Sequence, residues 1–125
     1  MINVLIADDH SMIREGLKQL LELDGDIKVV GEAGNGEVCL RLIDSLRPDV
    51  VLLDINMPEM NGLEVLEKLR SRGSKQKVLI LTIHNEVEYL MKAIEIGVSG
   101  YLLKDSESAI LKKAIFAVYG GENYI

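Results

Sequence analysis

A short apolar run that stops at an acid constrains this chain most. Val50–Leu53 contains only valine and leucine, which is typical of a strand buried on both faces of a sheet. The run ends at Asp54, and Pro58 and Gly62 then mark a loop before a helical pattern begins. Such a strand places its terminal carboxylate at the carboxyl edge of the sheet, where open α/β sheets bind ligands. Asp54 alone is equally compatible with a turn cap, so the other strands decide its role.

Strand patterns alternate with amphipathic helical patterns five times along the 125 residues. The predicted strands are Ile2–Ala7, Ile27–Ala33, Val50–Leu53, Lys77–Thr82 and Val98–Leu103. The predicted helices begin near Ser11 (as the N-cap), Val38, Leu63, Glu86 and Ser106. This alternation with short loops predicts an α/β fold, a single doubly wound five-stranded parallel sheet flanked by five helices.

Composition and charge exclude several classes of protein. The net charge of −6 gives no sign of binding to a phosphate backbone, so we expect no nucleic-acid partner for this domain alone. No apolar run reaches transmembrane length and no signal peptide is present, so we expect a cytoplasmic protein without a membrane partner. The single cysteine, Cys39, cannot form an internal disulfide and is interpreted as a core residue in a reducing compartment.

Polar side chains end four of the five predicted strands. Asp8 and Asp9 follow the first strand, Asp54 follows the third, Thr82 ends the fourth and Lys104 follows the fifth. Because the carboxyl ends of parallel strands lie at one edge of the sheet, we expect these side chains to converge. Three carboxylates require positive charge, and oxygen ligands suit Mg²⁺, with Mn²⁺ as a possible substitute.

This arrangement favours phosphoryl chemistry over simple metal binding. A carboxylate can attack phosphorus and form an aspartyl phosphate, which is the role that we assign to Asp54. Phosphoryl transfer depends mainly on positioning and on charge neutralisation. Lys104 would neutralise the transferring oxygens, and the hydroxyl of Thr82 would donate to one of them.

Four motifs at these strand ends resemble a known family. They are Ile6–His10, Leu53–Gly62, Leu81–Thr82 and Gly100–Lys104. In this order they make the chain similar, over essentially its whole length, to the receiver domain of bacterial two-component response regulators. The resemblance implies a flavodoxin-like or CheY-like fold with strand order 2-1-3-4-5 and a single receiver (phosphoacceptor) domain over residues 1–125.

The resemblance also implies a role for each site residue. Asp54 matches the phosphoacceptor, and Lys104 matches the lysine that pairs with the phosphoryl group. Asp8 and Asp9 match the acidic pair that holds the metal with Asp54, and Asn56 matches the residue that supplies a backbone carbonyl to it.

Two further pairs follow from the same resemblance. Thr82 and Tyr101 match the switch pair that moves on phosphorylation. Asn56 and His84 are expected to flank the attacking water and to tune the phosphoryl lifetime. The remaining histidine, His10, is interpreted as a surface residue beside the site.

Within the family, the Leu102–Asp105 stretch, His10–Ser11 and the Gly120–Gly121 ending resemble the NarL/FixJ branch. There the receiver is joined to a LuxR-type helix-turn-helix DNA-binding domain, which we expect in the full-length protein although it is absent from this chain. The expected partners are a cognate sensor histidine kinase and a second copy. The homodimer would form on phosphorylation through helices one and five, or through the face of helix four, strand five and helix five.

Three other functions are compatible with parts of this pattern. The first is a stand-alone CheY-like regulator that acts by protein–protein contact. The second is a flavin mononucleotide carrier, although Asp8 and Asp9 stand where that fold needs a phosphate-binding loop. The third is a magnesium phosphatase, although Asn56 stands where its second acid is expected. We therefore expect a switch rather than an enzyme, one that catalyses only its own phosphoryl transfer and autodephosphorylation.

Overall fold

The computed structural model describes residues 1–125, which form one five-stranded parallel sheet with helices on both faces. The strands are β1 (Ile2–Ala7), β2 (Ile27–Ala33), β3 (Val50–Leu53), β4 (Val78–Thr82) and β5 (Gly100–Leu103). The helices are α1 (Ser11–Glu22), α2 (Gly36–Leu46), α3 (Gly62–Ser71), α4 (Val87–Ile96) and α5 (Ser108–Tyr119). The strand order is β2-β1-β3-β4-β5, which confirms the predicted fold. No helix has the length and apolarity that crossing a bilayer requires.

The sheet separates two apolar clusters, and β3 contributes to both. Val51 and Leu53 pack with α2, α3 and α4, whereas Val50 and Leu52 pack with α1 and α5. Successive side chains of a strand point to opposite faces, so a central strand covered by helices on both sides contains only apolar residues. Cys39 lies in the first cluster, and burial raises the pKa of its thiol to about 12, which agrees with its interpretation as a core residue.

Several predicted boundaries are wrong by one or two residues, among them β4, which begins at Val78 rather than Lys77, and α2, which begins at Gly36 rather than near Val38. Strand five begins at Gly100 rather than Val98, because the end of α4 uses the backbone of Val98, whose N–H donates to the carbonyl of Ala93 at 3.0 Å. Helix five begins at Ser108 rather than near Ser106, since the N–H of Ser106 is held in a turn by the carbonyl of Leu103.

The predicted N-cap of the first helix is also wrong by one residue. Ser11 is the first helical residue, and the N-cap is His10, whose backbone is extended. The side chain of His10 makes no capping bond and instead contacts Asp8 at 2.9 Å. The side chain of His10 therefore contacts the end of β1 and does not cap the helix.

The loop between β3 and α3 is held tightly against the strand end. The N–H of Gly62 donates to the carbonyl of Ile55 at 2.9 Å, and a Cβ atom at position 62 would collide with the backbone carbonyl of Asp54. Asn61 and Glu64 form a capping box at the start of α3. Glycine at position 62 thus allows the helix to begin directly beside the acid that ends β3.

Candidate functional site

Backbone hydrogen bonds align the strand ends that carry the predicted site residues. The N–H of Asp54 donates to the carbonyl of Ala7 at the end of β1, at 2.9 Å. The N–H of Lys104 donates to the carbonyl of Thr82 at the end of β4, at 2.8 Å. Asp8 directly follows Ala7, so the structure brings residues from β1, β3, β4 and β5 to one edge of the sheet.

Lys104 is the positive centre of this group. Its Nζ lies 2.7 Å from Oδ2 of Asp8 and 3.2 Å from Oδ2 of Asp54. Burial lowers the pKa of the ammonium, but the hydrogen bond from Nζ to Asp8 and the charges of both carboxylates outweigh burial and leave that pKa raised. Lys104 is therefore a permanent cation between two acids whose side chains are only 3% exposed.

The two buried carboxyl groups are shifted in opposite directions. Burial raises the pKa of Asp8, but hydrogen bonds from Lys104 and from the backbone N–H of His10 leave it below the ordinary value. Burial raises the pKa of Asp54, the charge of Lys104 offsets only part of the effect, and the charge of Asp8 adds to it. Asp54 is thus the carboxylate whose cost of burial is less fully offset by its neighbours.

One buried oxygen has no partner. Oδ1 of Asp54 accepts no hydrogen bond, although an unsatisfied buried acceptor costs about 1–3 kcal/mol. Ligand atoms of Asp8, Asp9, His10 and Asp54 all lie within 4.8 Å of one another. A cluster of carboxylates with an open oxygen fits a divalent cation, so these residues can hold a metal ion.

The predicted switch residues both contact one residue of the loop between β4 and α4. Thr82 is fully buried, and its Oγ1 accepts a hydrogen bond from the backbone N–H of His84 at 3.2 Å. The hydroxyl of Tyr101 donates to the backbone carbonyl of His84 at 2.9 Å. A movement of either side chain therefore changes the hydrogen bonding of His84.

The ring of His84 joins this loop to the β3–α3 loop. Its Nε2 lies 3.0 Å from Oδ1 of Asn56, within hydrogen-bond distance. Its Nδ1 lies 3.5 Å from Oε2 of Glu86, and the ring stacks on Tyr89 with a centroid distance of 4.2 Å. The two residues predicted to tune the phosphoryl lifetime are thus in direct contact.

The contacts of His10 and Arg14 at the end of β1 were not predicted from the sequence. The ring of His10 is 59% exposed, as interpreted, but its Nδ1 also lies 2.9 Å from Oδ1 of Asp8 and 3.0 Å from Oδ1 of Asp9. Arg14 donates from Nη1 to the backbone carbonyl of Asp8 at 2.5 Å, and from Nε to Glu32 at 3.1 Å. The contact with Glu32 joins residues 18 apart on α1 and β2, so spacing along the chain gave no signal for it.

A small cavity opens beside the site. It has a volume of about 210 Å³ and is lined by Ile83, Asn85, Leu103, Lys104 and Asp105. Pockets that bury drug-sized ligands have volumes of roughly 300–1,000 Å³. The opening is therefore smaller than a pocket that buries a ligand of flavin size.

Comparison with known proteins assigns the family. The model of the response regulator receiver domain matches residues 4–116. The chain is 47% identical over 119 residues to the nitrate/nitrite response regulator protein NarL of Escherichia coli K12, covering 95% of this chain and 55% of that protein. It is 44% identical over 121 residues to the transcriptional regulatory protein YdfI of Bacillus subtilis, covering 97% and 56%. The chain thus spans about half the length of these relatives.

The fold gives the same assignment. The crystal structure of a LuxR-family two-component response regulator from Aurantimonas superposes with a TM-score of 0.94 at 33% sequence identity, covering 100% of this chain and 89% of that one. Sequence and fold agree over almost all of the chain. The chain belongs to the response regulator receiver domains, in the NarL/FixJ-type (LuxR-family) branch.

Proposed function

We propose that this domain is a signalling switch that accepts a phosphoryl group from a histidine kinase on Asp54. The observation that carries the proposal is the state of the Asp54 carboxylate. It is buried, Lys104 holds one oxygen at 3.2 Å, and the other oxygen has no hydrogen-bond partner. A fixed cation beside an open carboxylate oxygen is what an attack on phosphorus requires.

In the transfer step, a carboxylate oxygen of Asp54 forms a bond to phosphorus while the bond from phosphorus to the histidine nitrogen of the donor breaks. The imidazole leaves with the electron pair of that bond and takes up a proton. Lys104 neutralises the transferring oxygens, and Thr82 can donate its hydroxyl proton to one of them. Later attack of water on phosphorus releases phosphate and regenerates the carboxylate. The domain therefore catalyses only its own phosphorylation and dephosphorylation.

The proposed cofactor is Mg²⁺, with Mn²⁺ as a substitute. Asp8, Asp9 and Asp54 would hold it through carboxylate oxygens, and Asn56 through its backbone carbonyl. When bound, the ion supplies positive charge to the phosphoryl oxygens. The clustered carboxylates and the open oxygen of Asp54 support this assignment.

The proposed switch runs through His84. When Thr82 turns towards the phosphoryl group, the N–H of His84 loses its acceptor, and Tyr101 moves into the space that Thr82 leaves. Both changes act on the loop that leads into α4. A phosphoryl group that binds better to the rearranged loop shifts the population towards that state.

The proposed output is transcriptional. A helix-turn-helix DNA-binding domain that follows the receiver fits the length of the curated relatives, of which the chain covers 55% and 56%. Phosphorylation would favour a homodimer through α1 and α5, or through the face of α4, β5 and α5. Exposed apolar residues on these elements support such contacts: Met12, Ile13, Val87, Met91, Ile94, Ile110 and Phe116.

Phosphotransfer from a labelled donor tests the proposal. A histidine-kinase domain carrying a ³²P-labelled phosphohistidine is mixed with the chain and Mg²⁺. We expect the label to move to the wild type and to the control Asp44→Asn, which changes an exposed acid on α2, but not to Asp54→Asn. Transfer to Asp54→Asn, or transfer that persists with excess chelator, would contradict the proposal.

A further inference from the structure

We propose that His10 is a nitrogen ligand of the metal site, which makes the site bind Zn²⁺ in preference to Mg²⁺. Nδ1 of His10 lies 2.9 Å from Oδ1 of Asp8 and 3.0 Å from Oδ1 of Asp9. A carboxylate oxygen of Asp54 belongs to the same group of ligand atoms, all within 4.8 Å of one another. The inference deepens the metal site of the proposed function, but it does not require phosphorylation.

The position of the ring is set by the chain itself. His10 is the N-cap of α1, and its backbone N–H donates to Oδ1 of Asp8 at 2.9 Å. This bond holds the residue over the end of β1, so the ring faces the carboxylates rather than the helix. Because the ring is 59% exposed, it can adjust around an ion without disturbing the core.

The distances suit a small ion with mixed ligands. Zinc binds histidine nitrogen and carboxylate oxygen at about 2.0–2.2 Å, so neighbouring ligand atoms of a tetrahedral site lie roughly 3.3 Å apart. The separations of 2.9 Å and 3.0 Å need to open by a few tenths of an ångström, and ligand atoms of the group that stand up to 4.8 Å apart need to close towards about 3.3 Å. One nitrogen and three carboxylates provide the four ligands that such a site requires.

A second observation points to a ligand at the same place. The side chain of Asp54 is only 3% exposed, and its Oδ1 has no hydrogen-bond partner. This buried acceptor is open to any divalent ion, so it does not choose between metals. We attribute the preference for Zn²⁺ to His10, because an imidazole nitrogen is a good ligand for Zn²⁺ whereas Mg²⁺ prefers oxygen ligands.

The consequence is competition between two ions. Zn²⁺ and Mg²⁺ would use the same carboxylates, so each ion would displace the other from the site. The fraction of the domain that carries Mg²⁺ would then depend on the ratio of the two ions. Zinc would act as a regulator of the site, because it would compete with the ion that the proposed phosphoryl transfer uses.

Calorimetric titration of the chain with ZnCl₂ and, separately, with MgCl₂ tests the proposal. We expect His10→Asn to weaken Zn²⁺ binding by at least about tenfold, since loss of even an outer-shell partner costs 10–100-fold. Mg²⁺ affinity should stay within about twofold. Asp44→Asn, which changes an exposed acid on α2 that pairs only with Arg72, is the control and should leave Zn²⁺ affinity unchanged.

The histidine ring signals in ¹⁵N NMR give a direct readout. We expect Zn²⁺ to shift the Nδ1 resonance of His10 and Mg²⁺ to leave it near its original position.

Three results would overturn the proposal. If the ring of His10 only blocks access to the carboxylates, its substitution would increase the affinity of the site for both ions by a similar factor. If Zn²⁺ binds elsewhere, His10→Asn would leave its affinity unchanged. If His10→Asn weakens the binding of both ions by a similar factor, His10 supports the site without selecting the metal. None of these results bears on whether Asp54 accepts a phosphoryl group, so a failure here is distinct from a failure of the proposed function.

Discussion

The ammonium nitrogen of Lys104 lies 3.2 Å from Oδ2 of Asp54, although 50 residues separate the two in the sequence. The same nitrogen lies closer to Oδ2 of Asp8, at 2.7 Å. Lys104 therefore makes its shorter hydrogen bond to Asp8 and its longer one to Asp54. Burial raises the pKa of both carboxyl groups, but hydrogen bonds from Lys104 and from His10 leave the pKa of Asp8 lowered, whereas the charge of Asp8 adds to burial and leaves the pKa of Asp54 raised. Asp54 is therefore the less stabilised acid of the pair, and the proposed phosphoacceptor is costly to the fold until a ligand satisfies it.

Asp54→Asn should stabilise the metal-free domain at neutral pH. The substitution replaces a buried charge, whose burial Lys104 offsets only in part, by a neutral amide, and we expect a gain of about 1 kcal/mol. Urea unfolding followed by circular dichroism measures the change. Because the pKa of Asp54 is raised in the folded state, the cost of its charge develops as the pH rises above the ordinary value of 3.8. We therefore expect the gain to disappear at more acidic pH.

The matched control for this prediction is Asp44→Asn. Asp44 is on α2, its side chain is 62% exposed, and its partner is Arg72 at 3.3 Å. An exposed pair of this kind contributes little, about 0–1 kcal/mol. A stability gain in Asp44→Asn as large as in Asp54→Asn would indicate a general charge effect and would contradict the assigned cause.

Lys104→Met should destabilise the domain at neutral pH by about 3 kcal/mol, because breaking a buried ion pair leaves a charge uncompensated. In the wild type, the lowered pKa of Asp8 gives stability that is present above pH 3.8 and is lost as the pH falls through that lowered pKa. The raised pKa of Lys104 gives stability that is present below pH 10.5 and is lost as the pH rises through the raised value. The difference between wild type and variant should therefore close at both extremes. A difference that is constant across the pH range would indicate lost packing instead.

Two glycines should respond to alanine in opposite ways. A Cβ atom at Gly62 would collide with the backbone carbonyl of Asp54, so Gly62→Ala should cost about 2 kcal/mol or more. Gly16 lies in α1 with nothing within 4 Å of an added Cβ atom, so Gly16→Ala should stabilise the domain by about 0.5–1 kcal/mol. Thermal unfolding of both variants measures this contrast. Equal responses would mean that the β3–α3 loop has more room than the structure gives it.

Asn56→Ala and His84→Ala should each shorten the lifetime of the phosphorylated form roughly fivefold, the rate equivalent of about 1 kcal/mol. Their side chains are in contact at 3.0 Å, and Asn56 lies two residues after Asp54 in the same loop, so the pair would limit the approach of water. The decay of phosphoprotein after removal of the donor gives the rates.

The double variant separates a joint effect from two independent ones. Because the two side chains act through one hydrogen bond, its effect should not exceed the larger single effect. Mg²⁺ affinity is the control and should change little. If the decay rate is unchanged in all three variants, neither residue controls the lifetime of the phosphoryl group.

The fold was predictable because its strands are buried on both faces. Such strands are continuous apolar runs, and Val50–Leu53 has the same bounds in the prediction and in the structure. The boundaries that failed, at Ser11 and at Val98, depend on which backbone hydrogen bond forms at a helix end. Patterns of residue type do not specify that choice to within one or two residues.

The set of residues at the candidate site was predictable for a related reason. Parallel strands place their carboxyl ends together, so the residue that follows each strand can be assigned to the edge. The contacts within the set were less predictable. The ring of His10 against Asp8 and the hydroxyl of Tyr101 on the carbonyl of His84 depend on side-chain direction, which follows from tertiary packing rather than from spacing along the chain.

The measurement that tests the central claim most directly is intact-mass spectrometry of the chain after incubation with acetyl phosphate and Mg²⁺. Wild type and Asp44→Asn should each gain the mass of one phosphoryl group, and the gain should disappear with chelator and in Asp54→Asn. A folded wild type that gains no mass from either acetyl phosphate or a phosphorylated kinase domain would contradict the account. A gain that persists in Asp54→Asn would contradict it equally, because the phosphoryl group would then be on another residue.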